Sequence, residues 1–290
     1  MKLILFTDLD GTLLDEAAYS CDSAFPALEL LRRAEIPLIF CSSKTRAEIE
    51  YYRARLFNSH PFIAENGGGI FVPRGYFGFS ASCFPYATAE SGGYDVIAAD
   101  TPYALLRKAV GELRKEGFRV RGFGDMAPEE IAELTGLDME AAQRAKERDF
   151  DEPLLFLGEK EREEALQTAV TARGLRLIRG RRFLHLTGGA DKGKAVSCMT
   201  EFYRRQGGGA PVVTAALGDG PDDIAMLRQA DYPIVIRHAG GRDELRIRLP
   251  HLTVADGIGP EGWNSAVMQL LERLSLSPAG RGASSPGKAL

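Results

Sequence analysis

Residues 2–14 read KLILFTDLDGTLL, and this stretch decides the fold. The apolar run from Lys2 to Thr7 has the length and composition of a fully buried strand. The run stops at Asp8, Asp10 and Gly11, where two carboxylates and a glycine indicate a polar turn. The stretch therefore predicts a buried first strand that delivers a pair of acidic side chains to one edge of a sheet.

The same arrangement, an apolar run followed by polar residues, recurs along the chain. The further runs and the residues after them are 36–41 with Ser42 and Ser43, 61–64 with Glu65 and Asn66, and 212–217 with Asp219. Helical patterns lie between the runs, and this alternation favours parallel strands joined by right-handed crossovers. Because ligands of such sheets lie beyond the carboxyl ends of the strands, we expect these polar side chains to converge on one site.

The pattern changes between residues 102 and 187, where longer amphipathic helical stretches alternate with short strand-like runs. We therefore predict an α/β fold with a doubly wound, mainly parallel, Rossmann-like core. Residues 1–101 and 188–275 are expected to form this core, and residues 102–187 an inserted α+β cap. The Pro-, Gly- and Ser-rich end, residues 276–290, is predicted to be a disordered tail.

Composition narrows the class of protein. A net charge of -4 over 290 residues provides no broad basic surface, so we expect no binding to nucleic acid or to an anionic membrane. No stretch reaches the ~20 apolar residues of a membrane span, and Asp8 interrupts the N-terminal run too early for a signal peptide. Cys21, Cys41, Cys83 and Cys198 lack disulfide-framework or metal-site spacing, which favours thiols in a reducing cytoplasm. A cytoplasmic location is predicted, and the sequence does not indicate an oligomeric state.

The acidic residues at the predicted sheet edge require a counter-charge. Asp8, Asp10 and Asp219 would repel one another and raise one another's pKa if they met without a cation. Oxygen-only ligands, with no Cys or His in the pattern, suit Mg²⁺ better than zinc or copper. The pattern therefore predicts a magnesium site formed by these three residues.

One of these carboxylates can also act as a nucleophile. An aspartate can attack phosphorus and form an acyl phosphate, while a metal and a nearby cation neutralise charge on the phosphoryl group. Asp10, two residues after Asp8, is suited to act first as a general acid and then as a general base. Ser42 offers a hydroxyl to the phosphate oxygens, and Lys192 supplies the cation.

Each of these motifs also has an ordinary structural interpretation. An Asp-x-Asp pair or a Gly-Asp-Gly turn is commonly solvated, and Lys192 taken alone is typical of a surface lysine. Ser42 and Ser43 can cap the helix that follows them, and Asp222 and Asp223 can stabilise a helix N-terminus. Their common position after apolar strands favours the functional interpretation.

The motifs taken together resemble a known pattern. FTDLDGTLL at 6–14, Ser42 after a strand, DKGKAV at 191–196 and LGDGPDD at 217–223 resemble the four motifs of the haloacid dehalogenase superfamily. A cap between the second and third motifs resembles the Cof-type class. Further segments are similar to the family of mannosyl-3-phosphoglycerate phosphatases: FCSSKTRAEIE at 40–50, IAENGGGIF at 63–71, GFGDMAPEEIAELTGL at 122–137, AKERDFDEP at 145–153, RGRRFLHLTGGADKGKAV at 179–196 and GPEGWNSAV at 259–267.

This resemblance implies a magnesium-dependent phosphatase that acts through an aspartyl-phosphate on a small phosphorylated sugar-glycerate. The implied roles are nucleophile and metal ligand for Asp8, acid/base and carbonyl ligand for Asp10, phosphate binder for Ser42 and Lys192, metal ligand for Asp219, and support of the metal ligands for Asp223. One departure is visible, because Asp222 stands where the family usually has Asn. The extra carboxylate is expected to change metal affinity or selectivity without affecting the nucleophile.

The implied substrate carries a carboxylate and sugar hydroxyls. A carboxylate suits a bidentate arginine, so Arg148 and Arg182 are candidates, although surface ion pairs explain either residue equally well. The remaining substrate-binding candidates are Ser43, Lys44, Glu65, Asn66 and Gly67. His185 is interpreted as a packed, half-buried histidine, and Trp263 as a core anchor of the last helix.

Several alternatives stay open at this point. The sugar is mannose or glucose, and a phosphatase of the sucrose-phosphate type, a phosphomutase or a non-catalytic phosphosugar-binding protein would share much of the pattern. A cap above a solvated site also predicts open and closed states, since closure excludes bulk water from the phosphoryl transfer.

Overall fold

A computed structural model of the chain describes residues 2–79, 88–98, 101–180, 182–238 and 247–276. The expectations for Cys83 and for residues 277–290 lie outside the described residues. Cys21 and Cys41 form no disulfide with any described residue.

Strands and helices alternate along most of the described chain. The strands are β1 (Lys2–Thr7), β2 (Leu38–Cys41), β3 (Phe62–Ala64), β4 (Gly69–Pro73), β5 (Thr88–Ser91), β6 (Tyr94–Ala98), β7 (Val120–Gly122), β8 (Asp151–Phe156), β9 (Arg176–Arg179), β10 (Leu184–Thr187), β11 (Val212–Gly218), β12 (Tyr232–Arg237) and β13 (Thr253–Ile258). The helices are α1 (Phe25–Arg33), α2 (Arg46–Arg55), α3 (Tyr103–Lys115), α4 (Pro128–Thr135), α5 (Met139–Ala145), α6 (Glu163–Thr171), α7 (Lys192–Gln206), α8 (Ile224–Leu227) and α9 (Gly259–Arg273). None of the helices in the described ranges is both long and apolar enough to cross a membrane.

The larger sheet has the order β13-β12-β11-β1-β2-β3-β4-β6-β5. The strands from β13 to β3 pair in parallel, and β1 lies between β11 and β2 near the middle of the sheet. This parallel block confirms the predicted α/β class with a mainly parallel sheet. Its parallel order brings the carboxyl ends of β1, β2, β3 and β11 to the same edge.

The edge beyond β3 is antiparallel, and the sequence patterns did not predict it. Strand β4 pairs with β3 and β6, and β5 closes a hairpin with β6. Gly92 and Gly93 make the tight turn of that hairpin at φ 55° and 88°, a region that glycine enters at little steric cost. The glycine run that precedes β4 is typical of a loop, which hid the strand.

Strand β1 separates two hydrophobic cores. Leu3 and Leu5 belong to one cluster, packed against α1 and α9, whereas Ile4 and Phe6 belong to the other, packed against α7 and α8. Successive side chains of a strand point to opposite faces, so a strand covered by helices on both sides must be apolar throughout. Trp263 of α9 is fully buried and donates to Thr7 Oγ1 at 2.9 Å, which confirms that it anchors the last helix in the core.

The smaller sheet has the order β7-β8-β10-β9 and is antiparallel. Side chains from α3 and α6 cover one face of this sheet in a core of their own. A second small cluster, with residues of α4 and α5, includes Phe123 and Phe183 as ring partners. Both clusters draw only on residues between 103 and 186, so this part of the chain has its own hydrophobic interior.

Candidate active site

The loop after β1 is positioned by the pairing of β1 with β11. Thr7 lies opposite Leu217 in the parallel register, and the N–H of Asp8 donates to the carbonyl of Leu217 at 2.9 Å. Asp8 and Asp219 therefore leave neighbouring strands side by side. The Thr12 hydroxyl donates to Asp219 Oδ1 at 2.7 Å and holds the two loops together.

Three carboxylates meet at this point. Asp8, Asp219 and Asp223 are buried, and each offers an oxygen within 4.8 Å of the other two. Asp223 Oδ2 accepts the N–H groups of Asp219 at 2.9 Å and Gly220 at 3.0 Å, which fixes the loop after β11. Residues 211 positions apart in the chain are thus brought within reach of one ion, as the strand-end argument predicted.

Lys192 places a positive charge in contact with Asp8 and Asp223. It is the first residue of α7, and its Nζ lies 3.0 Å from Asp8 Oδ1, 2.7 Å from Asp223 Oδ1 and 3.0 Å from Asp222 Oδ2. Burial alone would lower the pKa of Lys192, but the aspartates outweigh that effect and raise its pKa well above the ordinary value. Lys192 is therefore a permanent buried cation and not the surface lysine of the ordinary interpretation.

One lysine does not balance this group of carboxylates. Burial raises the pKa of Asp8 to about 8; Lys192 opposes this shift, and Asp223 and Asp222 add to it. The donor set consists of oxygens, and the acids are in excess of the cation beside them. This combination fits a hard divalent cation such as Mg²⁺, which prefers carboxylate and carbonyl oxygens.

Asp10 has a separate partner. Its Oδ2 lies 3.0 Å from Lys44 Nζ, while its buried Oδ1 has no hydrogen-bond partner among the described residues. Lys44 also contacts Glu48 at 3.2 Å, within the first turn of α2. Burial alone would lower the pKa of Lys44, but Asp10 and Glu48 outweigh that effect and raise it. Asp10 is therefore held in place with one oxygen available to a ligand.

The two serines after β2 have different positions. Ser42 is fully buried, and its Oγ accepts the N–H of Lys44 at 3.4 Å. Ser43 lies in the wall of the cavity, and its carbonyl oxygen accepts two N–H groups of Arg148 at 3.0 and 3.1 Å. The contact of Ser42 with phosphate stays a prediction, since its side chain lies behind the cavity wall.

Glu65, which we expected to bind substrate hydroxyls, makes its hydrogen bonds within the protein, and its contact with a substrate stays a prediction. Its carboxylate accepts the backbone N–H groups of Asp149, Phe150 and Asp151 at 2.8 to 3.2 Å. The side chain is fully buried and its acceptor capacity is used within the protein. Its position at the end of β3 was predicted, but its partner is a loop 84 residues away that adjoins the smaller sheet.

Asn66 and Gly67 also contact the protein itself. Asn66 Nδ2 donates to Asp151 Oδ2 at 2.8 Å, so the amide orients a second buried acid. Gly67 has φ 91°, and a Cβ there would lie 2.5 Å from the carbonyl oxygen of Asp191 and 2.9 Å from the nitrogen of Lys192. Gly67 therefore approaches the start of α7 closely, and its contact with a ligand stays a prediction.

A cavity of about 130 Å³ lies beside Asp8 and Asp219, and residues from both sheets and their loops line it. Its lining from the side of the larger sheet includes Asp8, Asp10, Ser43, Lys44, Asp219 and Asp222, and from the side of the smaller sheet Phe123, Arg148, Pro153, Arg182, Phe183 and His185. The Arg182 guanidinium donates to Tyr19 Oη at 3.2 Å, to the Thr135 carbonyl at 2.7 Å and to the Glu16 carbonyl at 3.1 Å. Arg182 therefore bridges the loop after β1 to the opposite wall.

Some residues of the site had no signal in the sequence. His238, which follows β12, contacts the carbonyl oxygen of Asp219 through Nε2 at 2.9 Å and Asp219 Oδ2 through Nδ1 at 3.4 Å. A single histidine after a strand is not distinctive. The Thr12 contact with Asp219 was equally invisible, because its partner lies 207 residues further along the chain.

Comparison with known proteins agrees with this geometry. Residues 5–77 match the model of a family described as haloacid dehalogenase-like hydrolases. A glucosyl-3-phosphoglycerate/mannosyl-3-phosphoglycerate phosphatase of Methanococcoides burtonii is 44% identical over 272 residues, covering 93% of this chain and 98% of the relative. A mannosyl-3-phosphoglycerate phosphatase of Pyrococcus furiosus is 34% identical, covering 86% of this chain and 98% of the relative.

The fold has solved counterparts as well. A phosphatase of the haloalkanoate superfamily from Bacteroides thetaiotaomicron superposes with a TM-score of 0.63 at 19% identity, covering 95% of this chain and 96% of that chain. The fold, the acidic site and the extent of the sequence similarity point to one family. The chain therefore belongs to the haloacid dehalogenase superfamily and, within it, to the mannosyl-3-phosphoglycerate phosphatase family of phosphoric monoester hydrolases.

Proposed function

We propose that this phosphatase hydrolyses mannosyl-3-phosphoglycerate or glucosyl-3-phosphoglycerate to the glycosylglycerate and inorganic phosphate, with Mg²⁺ and through an aspartyl-phosphate on Asp8. The observation that carries the proposal is the meeting of Asp8, Asp219 and Asp223 around Lys192. The substrate is taken from the names of the relatives, since that of Methanococcoides burtonii is named for both glycosyl forms and that of Pyrococcus furiosus for the mannosyl form. A cytoplasmic location stays a prediction.

The chemistry assigned to the chain has two steps. An oxygen of Asp8 attacks phosphorus, the bond from phosphorus to the glyceryl oxygen breaks, and the leaving oxygen takes a proton from Asp10. Water then attacks the phosphorus held on Asp8, Asp10 accepts a proton from that water, and the bond between phosphorus and Asp8 breaks. The unpartnered Oδ1 of Asp10 suits this role because no described group competes for it.

Magnesium would be held by the carboxylates of Asp8 and Asp219 and by the carbonyl of Asp10, with Asp223 behind them. Both oxygens of Asp223 are occupied by Lys192 and by backbone N–H groups, which favours a supporting role over direct ligation. Bound in this place, the ion would supply positive charge to the phosphoryl oxygens. Lys192 supplies a second positive charge from the protein itself.

The division into a core and a cap is part of the same proposal. Residues 1–101 and 188–275 carry the proposed nucleophile, acid/base and metal ligands, and residues 102–187 would carry specificity. The cavity of about 130 Å³ is smaller than the ~300–1,000 Å³ of typical ligand sites. Entry of a glycosyl phosphoglycerate would then require the cap to open, and closure would exclude bulk water.

The decisive experiment measures phosphate release from mannosyl-3-phosphoglycerate and glucosyl-3-phosphoglycerate, each with Mg²⁺ and with a chelator. We expect metal-dependent release, with kcat/KM for one or both substrates at least about 100-fold above that for sucrose 6-phosphate. A greater preference for sucrose 6-phosphate would favour that class of phosphatase. A product that retains its phosphate would indicate a phosphomutase, and no turnover of any phosphomonoester would overturn the proposed function.

A further inference from the structure

A buried Asp–His pair forms part of the cap-side wall of the cavity. Asp151 begins β8 and His185 lies in β10, and the antiparallel register pairs Thr187 with Asp151 and His185 with Pro153. The pair is thus diagonal across neighbouring strands, where side chains on one face can meet. His185 Nδ1 lies 3.0 Å from both carboxylate oxygens of Asp151.

The neighbours of Asp151 favour the ionised form of its carboxylate. It is fully buried, and its carboxylate also accepts Asn66 Nδ2 at 2.8 Å and Arg148 Nη2 at 3.3 Å. Burial alone would raise the pKa of Asp151, but the neighbouring His185 and Arg148 outweigh that effect and lower it. An ionised acceptor at Nδ1 fixes the proton on that nitrogen and orients the ring.

The other ring nitrogen of His185 has no partner within the described chain. His185 is 6% exposed and lines the same cavity as Asp8 and Asp10. The ring edge that carries Nε2 lies beside Gly180, another lining residue, because a Cβ at Gly180 would be 2.9 Å from Nε2. Because Gly180 and His185 both line the cavity, a ligand group beside Gly180 is within reach of Nε2.

The arginine that the sequence favoured for a carboxylate is largely engaged. Arg148 donates twice to the Ser43 carbonyl, and it also donates to the carbonyl and the side chain of Asp151. These contacts leave a single N–H of its guanidinium, too few for a bidentate pair. Arg182 lies at the rim, 38% exposed, where it bridges two loops.

We propose that His185, oriented by Asp151, is a substrate-recognition residue whose Nε2–H donates to the carboxylate of the phosphoglycerate moiety. The inference rests on the proposed function, because that moiety supplies the carboxylate. In this arrangement the ring lies between two acceptors, with Nδ1 directed at Asp151 and Nε2 at the ligand carboxylate. Asp151 is a positioning residue, and the remaining N–H of Arg148 lies in the same wall.

The test compares 3-phosphoglycerate with glycerol 3-phosphate, which has CH₂OH in place of the carboxylate. Both are measured as inhibitors of p-nitrophenyl phosphate hydrolysis by the Mg²⁺-loaded enzyme. For the wild type we expect an inhibition constant about 10- to 100-fold lower for 3-phosphoglycerate, since a charged hydrogen bond is lost with the carboxylate. Equal inhibition constants for the wild type would overturn the inference.

Variants of Asp151 and His185 test whether the preference for 3-phosphoglycerate depends on these two residues. His185→Asn retains an N–H for Asp151 and removes Nε2, and we expect it to abolish the preference by raising the inhibition constant of 3-phosphoglycerate to that of glycerol 3-phosphate. Asp151→Asn should reduce the preference in part, as expected of a residue that acts through another. His185→Leu, which removes both ring nitrogens, is a second variant should His185→Asn not fold. Exposed His251→Asn is the matched control and should keep both the preference and the wild-type kcat/KM for p-nitrophenyl phosphate.

Two outcomes separate this inference from the proposed function. If His185→Asn and His185→Leu, with melting temperatures near that of the wild type, keep the preference for 3-phosphoglycerate, another group binds the carboxylate and the inference is wrong. The proposed function is judged independently, by phosphate release from the two glycosyl phosphoglycerates. A parallel loss of p-nitrophenyl phosphate hydrolysis in both variants would assign His185 to the phosphoryl transfer and would also overturn the inference.

Discussion

The two walls of the cavity are built on different principles. On the wall of the larger sheet, Asp8 and Asp219 are placed by the backbone, because parallel strands end at one edge and their next residues must meet. On the wall of the smaller sheet, Asp151 and His185 are placed by side-chain bonds, with Asn66 reaching across from the end of β3. The residues proposed for catalysis therefore depend on the strand order, whereas those proposed for recognition depend on a network of polar contacts.

The walls also differ in charge balance. Asp8, Asp222 and Asp223 share the single charge of Lys192, so the first wall carries excess negative charge and is suited to a metal ion. In the second wall, that of the smaller sheet, the Asp151 carboxylate has hydrogen-bond partners in Asn66, Arg148 and His185. Removing a carboxylate of the first wall should abolish catalysis without destabilising the fold, whereas removing the shared cation, or disturbing the second wall, should lower stability.

The largest effect is expected from Asp8→Asn. An amide cannot form the acyl phosphate, so turnover should fall by at least about 10³-fold. Because burial already disfavours the ionised form of Asp8, the metal-free variant should unfold at the same temperature as the wild type or higher. Phosphate release and thermal melting measure the two effects, and exposed Asp22→Asn is the control. Substantial residual turnover would remove Asp8 from the nucleophile role.

Lys192→Met tests the charge balance of the first wall. The substitution leaves three aspartates without their shared cation, so the metal-free protein should lose about 3–5 kcal/mol of unfolding free energy at neutral pH. Mg²⁺ should restore part of that stability, while kcat stays at least about 10²-fold below the wild type. Denaturant unfolding with and without Mg²⁺ measures this, with exposed Lys194→Met as control. An unchanged stability in both conditions would contradict the proposed balance.

Glu65→Gln tests the connection between the walls. The amide would set an NH₂ group against backbone N–H donors of residues 149–151, so we expect a loss of about 1–3 kcal/mol of unfolding free energy. Because these residues lead into Asp151, KM for the glycosyl substrate should rise more than KM for p-nitrophenyl phosphate. Exposed Glu147→Gln is the control. If stability is unaffected and KM rises only for the glycosyl substrate, Glu65 binds the sugar after all.

The smallest effect concerns a site away from both walls. Burial, with the charges of Arg53 and Lys2 adding to it, lowers the pKa of His60 from 6.5 to about 4. Between these values the unfolded chain binds more protons than the folded one, so the free energy of unfolding falls as the pH drops through this window. The advantage of the wild type over His60→Gln should therefore shrink by about 2 kcal/mol between pH 7 and pH 4.5. Urea unfolding at these pH values, with the exposed His251→Gln as control, checks the sign.

The sequence by itself determined the parallel sheet and the meeting of Asp8 with Asp219. Both are consequences of short apolar runs that end in polar residues, because buried parallel strands are apolar throughout and their carboxyl ends share one edge. The helices α1, α2 and α9, and those between residues 102 and 187, were predictable from periodicity for a similar reason, since their patterns are local.

Only the tertiary structure decided what the residues around that site contact. Glu65, Asn66 and Gly67 stand where the pattern predicted, yet they bind the 149–151 loop, Asp151 and the start of α7. The antiparallel hairpin of β5 and β6 and the Asp151–His185 pair were likewise hidden. Strand ends are set by short stretches of chain, but hydrogen-bond partners depend on folding that brings segments 30 to 200 residues apart into contact, and no local pattern records that.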